Sequence, residues 1–132
     1  MPRRPCKILI AEDNKVNQVL IEGMLRVCGH KADFASHGAE AVEKYNKSTY
    51  DLILMDCNMP IMDGYEAAIT IRAIEYKNHS EAKIPIIALC ADASQDNRKK
   101  CLDAGMNFFL AKPVNLAEFQ ELLKGLLPAD CG

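Results

Sequence analysis

Acidic side chains and one lysine follow four of the five apolar segments of this chain, each where the apolar run ends. Glu12 and Asp13 follow the first run, Asp56 the third, Asp92 the fourth and Lys112 the fifth. Clustered carboxylates repel one another, which raises their pKa values unless a cation lies between them. Carboxylate and carbonyl oxygens suit Mg²⁺, which also accepts phosphate oxygens. Acids, a hard cation and a lysine therefore predict phosphoryl chemistry, in which a carboxylate can itself be the nucleophile.

The elements that position these residues are five predicted strands alternating with five predicted helices. The strands are predicted at Lys7–Ala11, Ala32–Ala35, Leu52–Met55, Ile84–Leu89 and Asn107–Ala111. The helices are predicted from the cap Asn14 to Gly29, from Ser36 to Lys47, from Gly64 to Tyr76, from the cap Ser94 to Gly105, and from Leu116 to Leu126. Short connections in a β-α alternation indicate an α/β fold, a parallel sheet covered on both faces. Its strands end at one edge, where ligands bind in such folds.

Length and composition predict one domain. The 132 residues carry a formal net charge of −2 and 49% hydrophobic residues, which is ordinary for a globular domain. We expect an N-terminal tail over 1–5, the domain over 6–127 and a C-terminal tail over 128–132. No basic stripe suggests nucleic-acid binding, and no apolar run approaches a membrane span or a signal-peptide core. A cytoplasmic location is the expectation, although a longer parent protein could be membrane-anchored.

The six cysteines are scattered and include no C-x-x-C pair. This spacing gives little support to zinc binding or dithiol redox chemistry. We expect most of the cysteines to be reduced thiols, several of them packed as small apolar side chains.

Taken together and in order, the motifs resemble the receiver domain of two-component response regulators over nearly the whole chain. They are Glu12-Asp13 after the first strand, Asp56 followed by Met59-Pro60 and Met62-Asp63-Gly64, the strand Ile86-Ile87-Ala88-Leu89, and Lys112-Pro113. The segment Glu12 to Gln18 is most similar to receivers fused to hybrid sensor histidine kinases. The resemblance implies a (βα)5 flavodoxin-like fold with strand order 2-1-3-4-5.

The resemblance also implies a role for each site residue. Asp56 would accept a phosphoryl group from a phosphohistidine of a histidine kinase or a histidine phosphotransfer protein. Mg²⁺ would be held by Asp13, by Glu12 through water, by Asp56 and by the backbone carbonyl of Asn58. Lys112 would pair with the phosphoryl group, and its bond to Pro113 is expected to be cis. Phe109 would be an aromatic switch or simply a core ring, and Asn58 and Asp92 would influence the rate of dephosphorylation.

The chain departs from the family at Cys90, where receivers have Thr or Ser. A thiol is a weaker hydrogen-bond donor than a hydroxyl, so we expect phosphorylation of Asp56 to survive and the conformational response to weaken. The main alternative is a degenerate receiver that only docks proteins. A thiol sensor at Cys90 is disfavoured because negative neighbours raise the pKa of a thiol.

Two other functions, that of a phosphatase and that of a flavin-binding module, are disfavoured by one or two residues each. A phosphatase similar to the haloacid dehalogenases needs an acid two residues after its nucleophile, where this chain has Asn58. A flavin module needs a phosphate-cradling loop after strand one, where Glu12 and Asp13 would repel phosphate. The sequence leaves open the oligomeric state, the signal and whether the parent chain is a histidine kinase; the domain itself would catalyse only its own phosphorylation and slow dephosphorylation.

Overall fold

Five parallel strands form one sheet in the order β2-β1-β3-β4-β5, as predicted. The computed structural model describes residues 6–80 and 83–127, so the predicted tails lie outside the described residues. The strands are β1 (Lys7–Ala11), β2 (Lys31–Ala35), β3 (Leu52–Asp56), β4 (Ile86–Cys90) and β5 (Phe108–Ala111). The helices are α1 (Lys15–Val27), α2 (Gly38–Lys47), α3 (Gly64–Lys77), α4 (Gln95–Asp103) and α5 (Leu116–Leu126). Within the described ranges, none of the helices has the length and apolar character needed to cross a bilayer.

The two faces of the sheet carry separate cores, because side chains alternate along each strand. On one face Ile8, Leu54 and Ile87 pack with residues of α1 and α5. On the other face Leu9 and Ile53 pack with residues of α2, α3 and α4. Every residue of β3 and β4 is buried, which explains why these strands are continuous apolar runs in the sequence.

The first residues of four elements differ from the prediction, by one position in β2 and β5 and by two positions in β4 and α2. Strand β4 begins at Ile86 rather than Ile84, because Pro85 has no N–H to donate to the ladder. The Pro85 carbonyl still accepts a hydrogen bond from the Ile53 N–H at 3.0 Å. Helix α2 begins at Gly38, where Nδ1 of His37 caps the Glu40 N–H at 3.1 Å.

Most of the apolar pattern that predicts α1 does not face the core, although Met24 packs against it. Ile21 and Leu25 are the buried residues of this helix, whereas four of its other apolar side chains are exposed, namely Val16, Val19, Leu20 and Val27. Helix α1 therefore buries one side against the sheet and presents a second apolar side to the surroundings.

Among the described cysteines, all but Cys6 follow the prediction. Cys28, Cys57, Cys90 and Cys101 are free thiols, and the last three are buried. Cys6 is disulfide-bonded, which the scattered spacing did not predict. Sequence separation does not limit which cysteines a fold brings together, so spacing alone could not exclude this bond.

Candidate functional site

Asp56 is a buried carboxylate at the C-terminal end of β3, 3% exposed. Its Oδ2 lies 2.7 Å from Nζ of Lys112, which follows β5. Its Oδ1 accepts a hydrogen bond from the Asn58 N–H at 3.0 Å. These two contacts orient both carboxylate oxygens at the edge where β1, β3 and β5 end.

Glu12 is the second buried acid of this edge, and Lys112 binds it too, through Nζ and Oε2 at 2.9 Å. The first turn of α1 holds its other oxygen. Oε1 accepts the Asn14 N–H at 3.1 Å and Nδ2 of Asn17 at 3.3 Å. One lysine thus faces two buried carboxylates, Glu12 and Asp56.

The pKa values show how these charges are balanced. Burial raises the pKa of Asp56 to about 6, and a hydrogen bond with Glu12 adds to this effect against the opposing contacts of Lys112 and Asn58. Burial also acts to raise the pKa of Glu12, but its hydrogen bonds with Asp56 and Lys112 lower it overall. For Lys112, burial acts to lower the pKa, and the two acids outweigh it and raise the pKa. Negative charge therefore exceeds what the lysine neutralises.

A third acid, Asp13, is exposed beside this pair, and one carboxylate oxygen from each of Glu12, Asp13 and Asp56 lies within 4.8 Å of the other two. They border an open cleft of about 270 Å³. Asn58 also lines it. This set of hard oxygen donors, with excess negative charge and room for water, fits the ligand preferences of Mg²⁺.

Gly64 of the predicted motif permits the backbone to pass close to the nucleophile's strand. A Cβ at this position would lie 2.1 Å from the carbonyl oxygen of Asp56. The Gly64 N–H donates to the Cys57 carbonyl at 3.1 Å. Only glycine fits here without moving the end of β3.

The structure places three other predicted residues outside the cleft. Cys90 is 1% exposed and packs in the core on the α2–α4 side, while its neighbour Ala91 lines the cleft. Asp92 is exposed, and its Oδ1 accepts the Ser94 N–H at the start of α4. Phe109 is half-buried, with the Arg98 guanidinium 5.2 Å from its ring centroid. The predicted cis bond between Lys112 and Pro113 is confirmed.

Sequence reasoning missed the residues that hold Glu12. Asn14 and Asn17 contact its side chain, and Nε2 of Gln18 donates to its carbonyl at 2.6 Å. Their spacing was the available signal, because positions three and four apart share one face of a helix. A contact between Sγ of Cys57 and Sγ of Cys101, at 3.6 Å, was also missed.

Comparison with known proteins agrees with this fold and geometry. The family model described as "Response regulator receiver domain" matches residues 8–124. Hybrid signal transduction histidine kinase B of Dictyostelium discoideum is 44% identical over 119 residues, which cover 85% of this chain and 6% of that protein. The chain thus spans a small part of such curated relatives.

Two solved structures are similar over almost their whole length. The receiver domain of sensor histidine kinase PA1611 from Pseudomonas aeruginosa PAO1, with a magnesium ion coordinated in its active-site cleft, is 46% identical with a TM-score of 0.83. The match covers 93% of this chain and 98% of that one. The receiver domain of Saccharomyces cerevisiae Ssk1, co-crystallised with the histidine phosphotransfer protein Ypd1, is 34% identical with a TM-score of 0.88, over 96% and 91% of the two chains. The chain belongs to the response regulator receiver domain family.

Proposed function

We propose that this domain accepts a phosphoryl group on Asp56 in a His-to-Asp phosphorelay and is a segment of a hybrid sensor histidine kinase. One observation carries the proposal: the buried Asp56 carboxylate lies 2.7 Å from Lys112 and beside two further acids in an open cleft. A carboxylate, a lysine and a place for a hard cation are the parts that phosphoryl transfer requires.

In the proposed reaction an oxygen of Asp56 attacks the phosphorus of a phosphohistidine. The P–N bond breaks, its electron pair stays on the imidazole, and an acyl phosphate forms on Asp56. Lys112 is placed to pair with the negative charge that arrives. The Asn58 N–H holds one carboxylate oxygen during the approach, so the nucleophile stays oriented.

Mg²⁺ is the cofactor that the site residues fit. Asp13, Asp56 and Glu12, the last through water, would hold it together with the Asn58 carbonyl. When bound, the ion would neutralise negative charge on the phosphoryl group and the acids. The fit follows from the unbalanced charge of the site, since one lysine faces two buried acids.

The test is to treat the protein with acetyl phosphate, a small phosphodonor, and to measure the mass of the intact protein. We expect one phosphate adduct that requires both Mg²⁺ and Asp56, so that Asp56→Asn shows none. Asp92→Asn is the matched control at the same edge, and it should keep the adduct while changing its lifetime. An adduct that persists in Asp56→Asn would contradict the proposal.

The phosphodonor protein would dock on the exposed apolar face of α1. The start of this helix lies beside the cleft, since its cap Asn14 and its residue Asn17 both line the cleft. Val16, Val19 and Leu20 are each more than half exposed. The Ssk1 receiver binds Ypd1, a histidine phosphotransfer protein, and such a protein or a histidine kinase is the partner we propose.

Val19→Asp separates docking from chemistry. We expect it to slow phosphotransfer from a phosphorylated histidine phosphotransfer protein and to leave acetyl phosphate labelling unchanged. Ile69→Asp is the control, because Ile69 is an exposed apolar residue of α3. Equal phosphotransfer in the two variants would contradict docking on α1.

Docking without efficient switching remains the second candidate function, and the position of Cys90 favours it. Its side chain is a buried thiol of the core and not a hydroxyl, so it offers only a weak hydrogen-bond donor to a phosphoryl group. We expect Cys90→Thr to accept phosphate as the native protein does and to show larger amide chemical-shift changes around α4. Equal shift changes would contradict a role for Cys90. Bound Mg²⁺ without any adduct in the native protein would favour the docking module.

A further inference from the structure

Three buried thiols lie directly behind the phosphoacceptor. Cys57 follows Asp56 in the chain, Cys101 belongs to α4, and Cys90 ends β4; none is more than 2% exposed. The sulfur atoms of Cys57 and Cys101 are 3.6 Å apart, which is contact distance. This pair joins the residue next to Asp56 to a helix on the face of the sheet.

Helix α4 is held by few contacts. Cys101 is its one buried residue. Two exposed cations of α4 add ring contacts, Arg98 to Phe109 at 5.2 Å and Lys100 to Tyr65 at 4.3 Å. Such contacts are weak at exposed sites. Local opening of α4, which exposes Cys101, should therefore require much less free energy than global unfolding.

We propose that hydroperoxides oxidise Cys57 and Cys101 to a disulfide. This bond would link the residue directly after β3 to α4. In the first step the sulfur of Cys101 attacks the peroxide, the O–O bond breaks, and Cys101 becomes a sulfenic acid while the peroxide is reduced to an alcohol or water. In the second step the sulfur of Cys57 attacks that of Cys101, the S–O bond breaks, and water leaves with the thiol proton.

We expect this reaction to occur only when α4 opens locally. Burial raises the pKa of the Cys101 thiol, so the docked thiol is inert. An opened helix exposes Cys101 to a small peroxide and uncovers Cys57, with which it is in contact when docked, so that Cys57 can attack the sulfenic acid before the helix is fully docked again. Cys90 belongs to the same buried cluster, but the short sulfur contact selects Cys57 as the resolving partner.

The disulfide would also act on the proposed phosphorylation, and this consequence rests on the proposed function. An S–S bond is about 2.05 Å long, so the two sulfur atoms must approach by more than an ångström. Closing this gap requires Cys57, α4 or both to shift, and a shift of Cys57 would move the adjacent Asp56 carboxylate relative to Lys112 and Glu12. Because misplacement by about 1 Å can cost 100-fold in rate, we expect phosphorylation of Asp56 to slow by roughly tenfold or more.

The cross-link itself is tested without any phosphodonor. The native protein is treated with hydrogen peroxide, digested with trypsin without reduction and examined by mass spectrometry. We expect a disulfide-linked peptide pair holding Cys57 and Cys101, absent from Cys57→Ala and from Cys101→Ala and retained in Cys28→Ala. Oxidation confined to the half-buried Cys28, a link through Cys90, or no link would overturn the proposal.

The consequence is tested by acetyl phosphate labelling of oxidised and re-reduced protein. The regulatory step is supported if labelling of the native protein slows on oxidation and recovers on reduction, while labelling of Cys57→Ala does not slow on oxidation. The Cys57→Ala control retains the Cys6 disulfide, so any effect of reducing that bond appears in both proteins. Equal rates would overturn the regulatory step. No labelling of fully reduced protein would instead refute the proposed function and leave the cross-link result standing.

Discussion

The two edges of the sheet each carry a buried ionic network, and the two networks are balanced in opposite ways. At the C-terminal edge Lys112 is the one cation among the described residues that pairs with Glu12 and Asp56, and Asp13 lies nearby. The pKa of Asp56 is raised to about 6, chiefly by burial and further by its hydrogen bond with Glu12. Excess charge of this kind destabilises the site until a cation or a proton arrives, which is typical of a functional site.

At the opposite edge Arg72 is matched to one acid, one backbone carbonyl and one side-chain amide oxygen. Its Nη1 binds Glu75 at 2.7 Å, its Nε binds the Gly105 carbonyl at 2.8 Å, and its Nη2 binds Asn107 at 2.7 Å. The second oxygen of Glu75 accepts the Ile84 N–H at 2.7 Å. Each of these groups is satisfied, so this network holds the loops before β4 and β5 rather than a ligand.

Arg72→Leu should give the largest loss of stability. It leaves Glu75, whose side chain is 2% exposed, buried without its cation, and breaking a buried pair in this way costs about 3–5 kcal/mol. Urea unfolding followed by circular dichroism measures the change. Arg26→Leu, which breaks the exposed pair with Glu22, should cost under about 1 kcal/mol. A similar cost in both variants would remove the distinction between a buried structural network and a surface pair.

Lys112→Met should act on rate more than on stability. Asp56 can retain a proton when its cation is removed, so the buried acids avoid full repulsion. Loss of one charge-stabilising group typically costs about 100-fold in rate, and we expect such a decrease in acetyl phosphate labelling, with Mg²⁺ binding retained. Lys124→Met, at an exposed lysine of α5, is the control. Labelling at the native rate would mean that Lys112 is structural, like Arg72.

The sequence predicted the charged edge because strand ends are readable and parallel topology brings them together. Asp56 and Lys112 stand where apolar runs stop, and the strand order 2-1-3-4-5 sets β1 and β3 side by side. The chemical types of Glu12, Asp13 and Asp56 then sufficed to suggest a cation. No contact between side chains had to be foreseen.

Features that depend on helix packing could not be read in the same way. The contact of Cys57 with Cys101 spans 44 positions and depends on how α4 is seated. The hydrogen bond of Arg72 to Asn107 spans 35 positions. Helix α1 has two apolar sides, and periodicity alone does not say which one the sheet covers.

Asp56→Asn should leave stability nearly unchanged, within about 1 kcal/mol of the native protein, or raise it, when Mg²⁺ is absent. The amide keeps an acceptor for the Asn58 N–H and removes one of two mutually repelling acids. Added Mg²⁺ should raise the unfolding temperature of the native protein more than that of the variant, because a ligand stabilises the state it binds. Glu75→Gln is the matched control and should be clearly destabilising. If the free energy of unfolding of Asp56→Asn fell by more than about 2 kcal/mol, Asp56 would be stabilising the fold, as Glu75 does.

The smallest predicted effect lies away from both networks, at His30. Burial lowers the pKa of this imidazole below its ordinary value, against a weaker opposing effect of Asp51, and its Nδ1 accepts the Cys6 N–H at 3.2 Å. The unfolded chain therefore binds a proton more readily, so the contribution of His30 to stability is present above about pH 6.5 and is lost as the pH falls. His30→Gln keeps an acceptor that does not titrate. Its unfolding free energy should fall less than that of the native protein between about pH 7 and pH 5, as measured by urea unfolding, and parallel pH profiles would show that His30 is not the titrating group.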